Sequence, residues 1–194
     1  VSNQGAVGIT TKQAQEFVSG LLQYLGEDVS REGLIETPYR VVKALKEMTW
    51  GYGADPKEIL GKIFRTEYDE MVVVKDIPFV SLCEHHLMPF FGTASVAYIP
   101  SEGKVVGLSK IPRVVHALAA RLQLQERLTQ EIADAIDNPN LAPHGVAVVI
   151  RAVHSCMRFR GAKSQGEMVT SCLRGAFKDN PATREEFLRL MGMK

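Results

Sequence analysis

The chain has 194 residues, 45% of them hydrophobic, and a formal net charge of +1. That length buries one sizeable core, as a single domain or a domain with an appendage. The near-balance of charge removes any argument from bulk charge for a nucleic-acid or acidic-membrane partner, and no apolar run reaches the roughly 20 residues that a bilayer span needs.

In chain order, residues 1–12 are polar and small and lack the apolar stretch of a secretory signal. Thr10 or Thr11 caps a first amphipathic helix, whose apolar positions Ala14, Phe17, Val18, Leu21, Leu22 and Leu25 keep helical spacing up to Gly26. Thr37-Pro38 reads as N-cap and first residue of a second helix, striped by Val41, Val42, Leu45 and Met48 and closed by Gly51 and Gly53. A short helix follows Asp55-Pro56 through Ile59, Leu60 and Ile63. The texture then changes. Residues 71–74 and 79–82 are largely β-branched or apolar, 93–99 alternate as a strand, and Ser101-Glu102-Gly103-Lys104 predicts a hairpin turn. Helical spacing returns over 109–122 and again over 126–136, until Asn138-Pro139-Asn140 breaks it. Residues 145–156 and 168–173 predict strands, and Thr183-Arg184-Glu185-Glu186 matches a capping box before a last short helix. The order predicts an α+β fold with helices on one face of an antiparallel sheet. A helical segment at 1–65 precedes a core at 66–194.

Metal chemistry concentrates at Cys83-Glu84-His85-His86. A Cys and a His separated by two residues is a recurrent zinc-ligand spacing, because a tight turn brings both side chains to one point; Pro89 suits such a turn. Cys156 offers a third ligand at the end of the strand predicted at 145–156. Residues two apart on a strand share a face, so His154 stands beside the metal without binding it. Three protein ligands leave a position for water, as catalytic zinc does, whereas structural sites close with four. Zinc lowers the pKa of that water to about 7, and His85 and His154 remain as non-ligand histidines fit for proton transfer. Two other readings stay open here: Cys83 as a small buried hydrophobe among ordinary histidines, and a four-ligand structural site completed by His85 or His154. Cys172 is most simply an idle thiol. The odd cysteine count argues against a disulfide framework and for a reducing, cytoplasmic compartment.

Polar pocket candidates lie outside that cluster. Ser109 is placed to cap a helix whose first turn carries Lys110 and Arg113 on one face, which is either a phosphate site or a solvated basic helix start. If the strand runs on past Cys156, Arg160 shares its face and holds an anion near the metal; otherwise it is a strand-end arginine in water. Gln125-Glu126-Arg127 opens the second long helix. The Glu126 carboxylate favours the helix dipole, which is the better reading from sequence, or accepts two hydrogen bonds from a guanine edge. Arg40 is by itself an unremarkable helical arginine.

Taken together, these segments resemble the GTP cyclohydrolase I family from about Gly33 to the C-terminus. The resemblance rests on Gly33-Leu34-Ile35-Glu36-Thr37-Pro38-Tyr39-Arg40, Ser81-Leu82-Cys83-Glu84-His85-His86, Gly107-Leu108-Ser109-Lys110, Gln123-Leu124-Gln125-Glu126-Arg127-Leu128-Thr129, and His154-Ser155-Cys156 with Arg160-Gly161, in that order. It implies a T-fold catalytic core, a sheet with two helices on one face, and a ring-shaped homodecamer with sites at subunit interfaces. It further implies zinc on Cys83, His86 and Cys156, catalytic roles for His85 and His154, and guanine recognition by Glu126 with Gln125 beside it. Phosphate and ribose contacts fall on Ser109, Lys110, Arg113 and Arg160, and Arg40 matches an arginine from a neighbouring subunit. GTP is the implied substrate, with neither nucleic acid nor membrane as partner. Leu122 and Phe159 stand where the family often has Pro and Met; neither change removes a chemical group. A pterin synthase of the same fold typically holds zinc with three histidines, which Cys83 and Cys156 speak against. A zinc nucleobase deaminase needs a Cys-x-x-Cys, which this chain lacks. A catalytically silent homologue would lack some of the chemical residues, and all are present.

Overall fold

Thr10 starts α1 (Thr11–Tyr24) through a capping box: its hydroxyl accepts from the Gln13 N–H at 3.3 Å, and the Gln13 side chain accepts from the Thr10 N–H at 2.8 Å. Two of the donors that a helix start leaves open are thereby satisfied. The computed structural model describes residues 8–192, so most of the polar stretch 1–12 lies outside the described residues. In α2 (Thr37–Met48), Thr37 is already helical rather than the cap; Glu36 holds that position, and the Thr37 hydroxyl donates back to the Gly33 carbonyl at 3.3 Å. The helices α1 and α2 pack on one another, and neither contains a fully buried residue. A 3-10 turn (Trp50–Gly53) and α3 (Pro56–Leu60), capped by Asp55, lead into the sheets.

The larger sheet has five strands: β2 (Val72–Cys83), β3 (Pro89–Ile99), β5 (Leu122–Gln123), β6 (Gly145–His154) and β7 (Met168–Gly175), in the order β5-β2-β3-β6-β7. All pairings are antiparallel except that of β5 with the end of β2. The segments expected at 71–74 and 79–82 are one strand. A register shift between Val74 and Ile77, with Asp76 at φ +56°, lets both halves keep their apolar side chains inward. The turn at 101–104 forms, closed by the Lys104 N–H on the Ser101 carbonyl at 3.0 Å. It delivers β4 (Lys104–Val106) to β1 (Ile63–Arg65) in a separate two-stranded sheet, rather than back onto β3.

The helices α4 (Lys110–Ala119) and α5 (Gln125–Ile136) lie on one face of the five-stranded sheet, as expected. Ile111, Val114, Val115 and Leu118 from α4, and Leu128, Ile132 and Ile136 from α5, join Phe79, Phe90, Val96, Tyr98, Val148 and Ile150 in one core. Alternate strand residues Ala97, Ala147 and Val149 face the other way and meet Phe177 of α7 (Ala176–Asp179) and Phe187 of α8 (Pro181–Leu190). The C-terminal helices thus cover part of the second face. The capping box expected at Thr183 is not what starts α8. Asn180 caps it, accepting from the Ala182 and Thr183 N–H groups, with Pro181 supplying a first residue that needs no acceptor.

Candidate functional site

The ends of β2, β3 and β6 meet at one corner of the sheet. Cys83 is the last residue of β2; its N–H donates to the Met88 carbonyl at 2.8 Å, and its carbonyl accepts from the His86 and Leu87 N–H groups at 3.3 and 2.9 Å. This tight turn, with Leu87 at φ +54°, puts His86 back over Cys83. The expectation at 145–156 needs correction. The strand stops at His154, and Ser155–Arg158 form one helical turn (α6), closed by the Phe159 N–H on the Ser155 carbonyl at 3.0 Å. Cys156 therefore reaches the corner from a helical turn, not by strand alternation. Arg160 lies beyond that turn rather than on a continuing strand, with Nη1 3.3 Å from His86 Nε2.

Cys83, His86 and Cys156 bring one ligand atom each within 4.8 Å of one another. Cys83 Sγ is 3.8 Å from His86 Nδ1 and 3.9 Å from Cys156 Sγ. The sulfurs are too far apart for a disulfide, and all three cysteines are free. Tetrahedral zinc with Zn–S near ~2.3 Å requires sulfurs about 3.8 Å apart and a slightly shorter S–N separation. The donor set and its spacing fit a zinc ion. Burial, then the neighbouring Cys83, push the Cys156 thiol up, and Arg160 pulls it partly back.

His154 lies beside the cluster and is half-buried. Its ring stacks on Phe90 at 4.5 Å between centroids and 3° between planes, and Nε2 sits 2.9 Å from Gln125 Oε1. Burial holds this imidazole below its usual pKa, with the Glu126 charge acting the other way. Gln125, expected among substrate contacts, has its side chain inside the protein. It is 1% exposed, and its amide nitrogen is engaged by the carbonyls of Ile150 and Met168 and the hydroxyl of Thr170. Glu126, one residue on, is exposed in the first turn of α5. His85 is exposed and edge-on to His86.

Other expected residues are not gathered here within one chain. Lys110 and Arg113 line a separate cavity of about 270 Å³ with Trp50, Ile59 and His116. Ser109 occupies the N-cap position of α4, but its hydroxyl makes no capping bond. Arg40 lies on the exposed side of α2, paired with Glu36 at 2.5 Å. Two residues were missed by sequence reasoning. Phe90 stacks on His154 because it is the residue's cross-strand partner. Arg127 braces the metal turn: Nε donates to Gln123 Oε1 at 2.9 Å, and Nη2 pairs with the Glu84 carboxylate. Gln123 ends β5 and Arg127 lies in the first turn of α5, so no helical spacing signalled the latter.

The sequence matches the protein family described as GTP cyclohydrolase I over residues 14–192. The chain belongs to the GTP cyclohydrolase I family. Among its relatives, proteins named GTP cyclohydrolase 1 are 58% identical in Chlorobaculum tepidum (91% of this chain, 79% of the relative) and 51% identical in Bacillus subtilis (93% and 95%). The relative of the same name in Chlorobium chlorochromatii is 53% identical over 95% of this chain and 82% of its own length. A solved archaeosine synthase QueF-Like structure aligns with 54% of this chain and 93% of its own at 20% identity and TM-score 0.44, too remote to carry weight. Every residue of the corner just described falls within the family match.

Proposed function

We propose that this chain is a zinc-dependent GTP cyclohydrolase I, hydrolysing and rearranging GTP to 7,8-dihydroneopterin triphosphate and formate at the head of pterin and tetrahydrofolate synthesis. The observation that carries the reading is the Cys83–His86–Cys156 triad with His154 held beside it, inside a family match that spans most of the chain. Zinc on the three ligands would supply an activated water for attack at C8 of guanine.

The residues of the chain take the remaining roles. His154, kept neutral by burial, exchanges protons with the imidazole nitrogens of the base as the ring opens and C8 leaves as formate. His85 protonates the ribose ring oxygen, and the opened sugar rearranges and closes onto the freed amine. Glu126 accepts from N1–H and the exocyclic amine of guanine; adenine offers no such pair of donors. With His86 Nδ1 facing Cys83 as a ligand, its Nε2 would carry the hydrogen and could not accept from Arg160, which would leave that guanidinium to an anionic substrate. Ser109, Lys110, Arg113 and Arg40 contact ribose and offset triphosphate charge. Because these four lie away from the triad of their own chain, they complete the site of a neighbouring copy.

The assembly in this reading is a homodecamer. It is supported by helices α1 and α2 without buried residues and by open sheet edges at β7 and along most of β2. Residues 1–65 serve mainly assembly and 66–194 catalysis, although β1 already pairs with β4 of the core. Three free thiols agree with a reducing cytoplasm, and no helix among the described residues is long and apolar enough to cross a membrane. The test is to incubate the assembled protein with GTP and follow formate and pterin absorbance, with and without a chelator. Formate and dihydropterin together, abolished by chelation and restored by zinc, are expected; zinc-loaded protein releasing no formate overturns the reading.

A further inference from the structure

Behind His154 runs a chain of hydrogen bonds whose direction is fixed at every link. The Thr129 hydroxyl is 2.7 Å from the Gln125 main-chain carbonyl. A carbonyl only accepts, so the single hydroxyl hydrogen of Thr129 is used there. Thr129 and Thr170 hydroxyls are 2.7 Å apart, and Thr170 must be the donor between them. With its own hydrogen spent, Thr170 can only accept from Gln125 Nε2, 3.1 Å away. The carbonyls of Ile150 and Met168, 3.2 and 3.0 Å from the same nitrogen, share its two hydrogens with Thr170 and impose the same orientation. The Gln125 amide therefore cannot flip, and its oxygen faces His154 Nε2 at 2.9 Å. An amide oxygen only accepts, so Nε2 of the imidazole must carry the hydrogen. Gln125 and Thr129 are each 1% exposed, so their side chains are held by these protein partners.

We infer that Thr170 and Thr129 are positioning residues for His154: acting through Gln125, they hold its neutral ring in the tautomer with hydrogen on Nε2, which makes Nδ1 the nitrogen that exchanges protons with substrate. Among the described residues Nδ1 has no hydrogen-bond partner, while stacking on Phe90 fixes the ring plane. Gln125 accordingly acts behind the histidine rather than on the substrate. The inference deepens the reaction proposed above and rests on His154 being its proton-transfer group.

The direct test is neutron diffraction of the deuterium-exchanged, zinc-loaded assembly at mildly alkaline pD, which reads the tautomer without reference to turnover. Deuterium on Nε2 with Nδ1 bare is expected; deuterium on Nδ1 overturns the inference, whether or not GTP is converted. In kinetics, Thr170→Val removes both hydrogen bonds of that hydroxyl and should lower kcat about fivefold, the scale of one net hydrogen bond, with KM for GTP unchanged, and Thr170→Ser should restore it. Gln125→Leu should lower kcat by about 100-fold, the scale of a misplaced general acid–base group, while zinc content stays at the wild-type level. Thr170→Val with wild-type kcat would remove the threonines from the positioning role.

Discussion

Cys83 and Cys156 bring two sulfurs to 3.9 Å, and each must be a thiolate to bind a divalent cation. Burial and then the proximity of Cys83 push the Cys156 thiol above its ordinary value. Loading zinc must displace that proton, so acid favours the free site and alkali the loaded one. The affinity should fall about tenfold per pH unit for each proton exchanged, through the range below the raised thiol pKa. Competition with a chromophoric chelator across pH measures the slope; a flat profile would exclude a thiolate ligand. Cys156→Ser should abolish stoichiometric zinc and reduce GTP turnover to background, read by elemental analysis beside formate release. One zinc per chain together with turnover in that variant would take Cys156 out of the ligand set.

The corner is built from the ends of elements, so its precision depends on strand register. Phe90 stands across from His154 because β3 and β6 pair in that register from end to end. Gly92, two residues further along β3, permits the close approach: a Cβ there would lie 1.9 Å from the Arg151 carbonyl. Gly92→Ala must push β6 off β3 next to the stacked pair. It should cost about 2–3 kcal/mol, the scale of overpacking, and lower kcat with it. Urea unfolding and steady-state kinetics would measure the two effects, and a variant with wild-type stability and kcat would show that the register absorbs the side chain. Such register was not legible in the sequence. The Cys83–His86 spacing was, because a tight turn is a local event. His154 and Cys156 were read as neighbours on one face of a strand; they are neighbours because the strand gives way to a helical turn at Ser155, and both geometries suit a His-x-Cys pattern. The single strand Val72–Cys83 read as two because its bulge interrupts the apolar run at Lys75-Asp76. The buried role of Gln125 depends on Thr170, distant in sequence and placed by β7. The local signal at Glu126 favoured the helix dipole and Arg40 carried none, so it was the family resemblance that gave both a substrate role.

At the scale of the molecule, the described residues leave apolar surface and hydrogen-bonding edges without partners. On α1, Phe17 is 65% and Leu21 57% exposed, an apolar stripe at helical spacing that α2 only partly covers. Among the described residues, β7 pairs only with β6, and β5 covers β2 only at Leu82 and Cys83. An open edge at either end of one sheet suits head-to-tail pairing of copies, and such heterologous contacts close into rings when the rotation permits. The proposed site needs this: Lys110 and Arg113 line a cavity of their own, and Arg40 sits on the outer side of α2. Replacing Phe17 and Leu21 together by Glu puts two charges into any interface the stripe forms, an expensive burial, while touching no core residue. The double variant should keep its far-ultraviolet circular dichroism and its zinc but sediment as a smaller species. Its turnover should fall by roughly 100-fold, as expected when groups that orient the substrate are withdrawn. Sedimentation velocity beside a formate assay separates the alternatives. An unchanged sedimentation coefficient would mean that the stripe faces water in the assembly. A dissociated chain with full activity would mean that one chain holds the whole site, and that Arg40, Lys110 and Arg113 do not reach across to a neighbour.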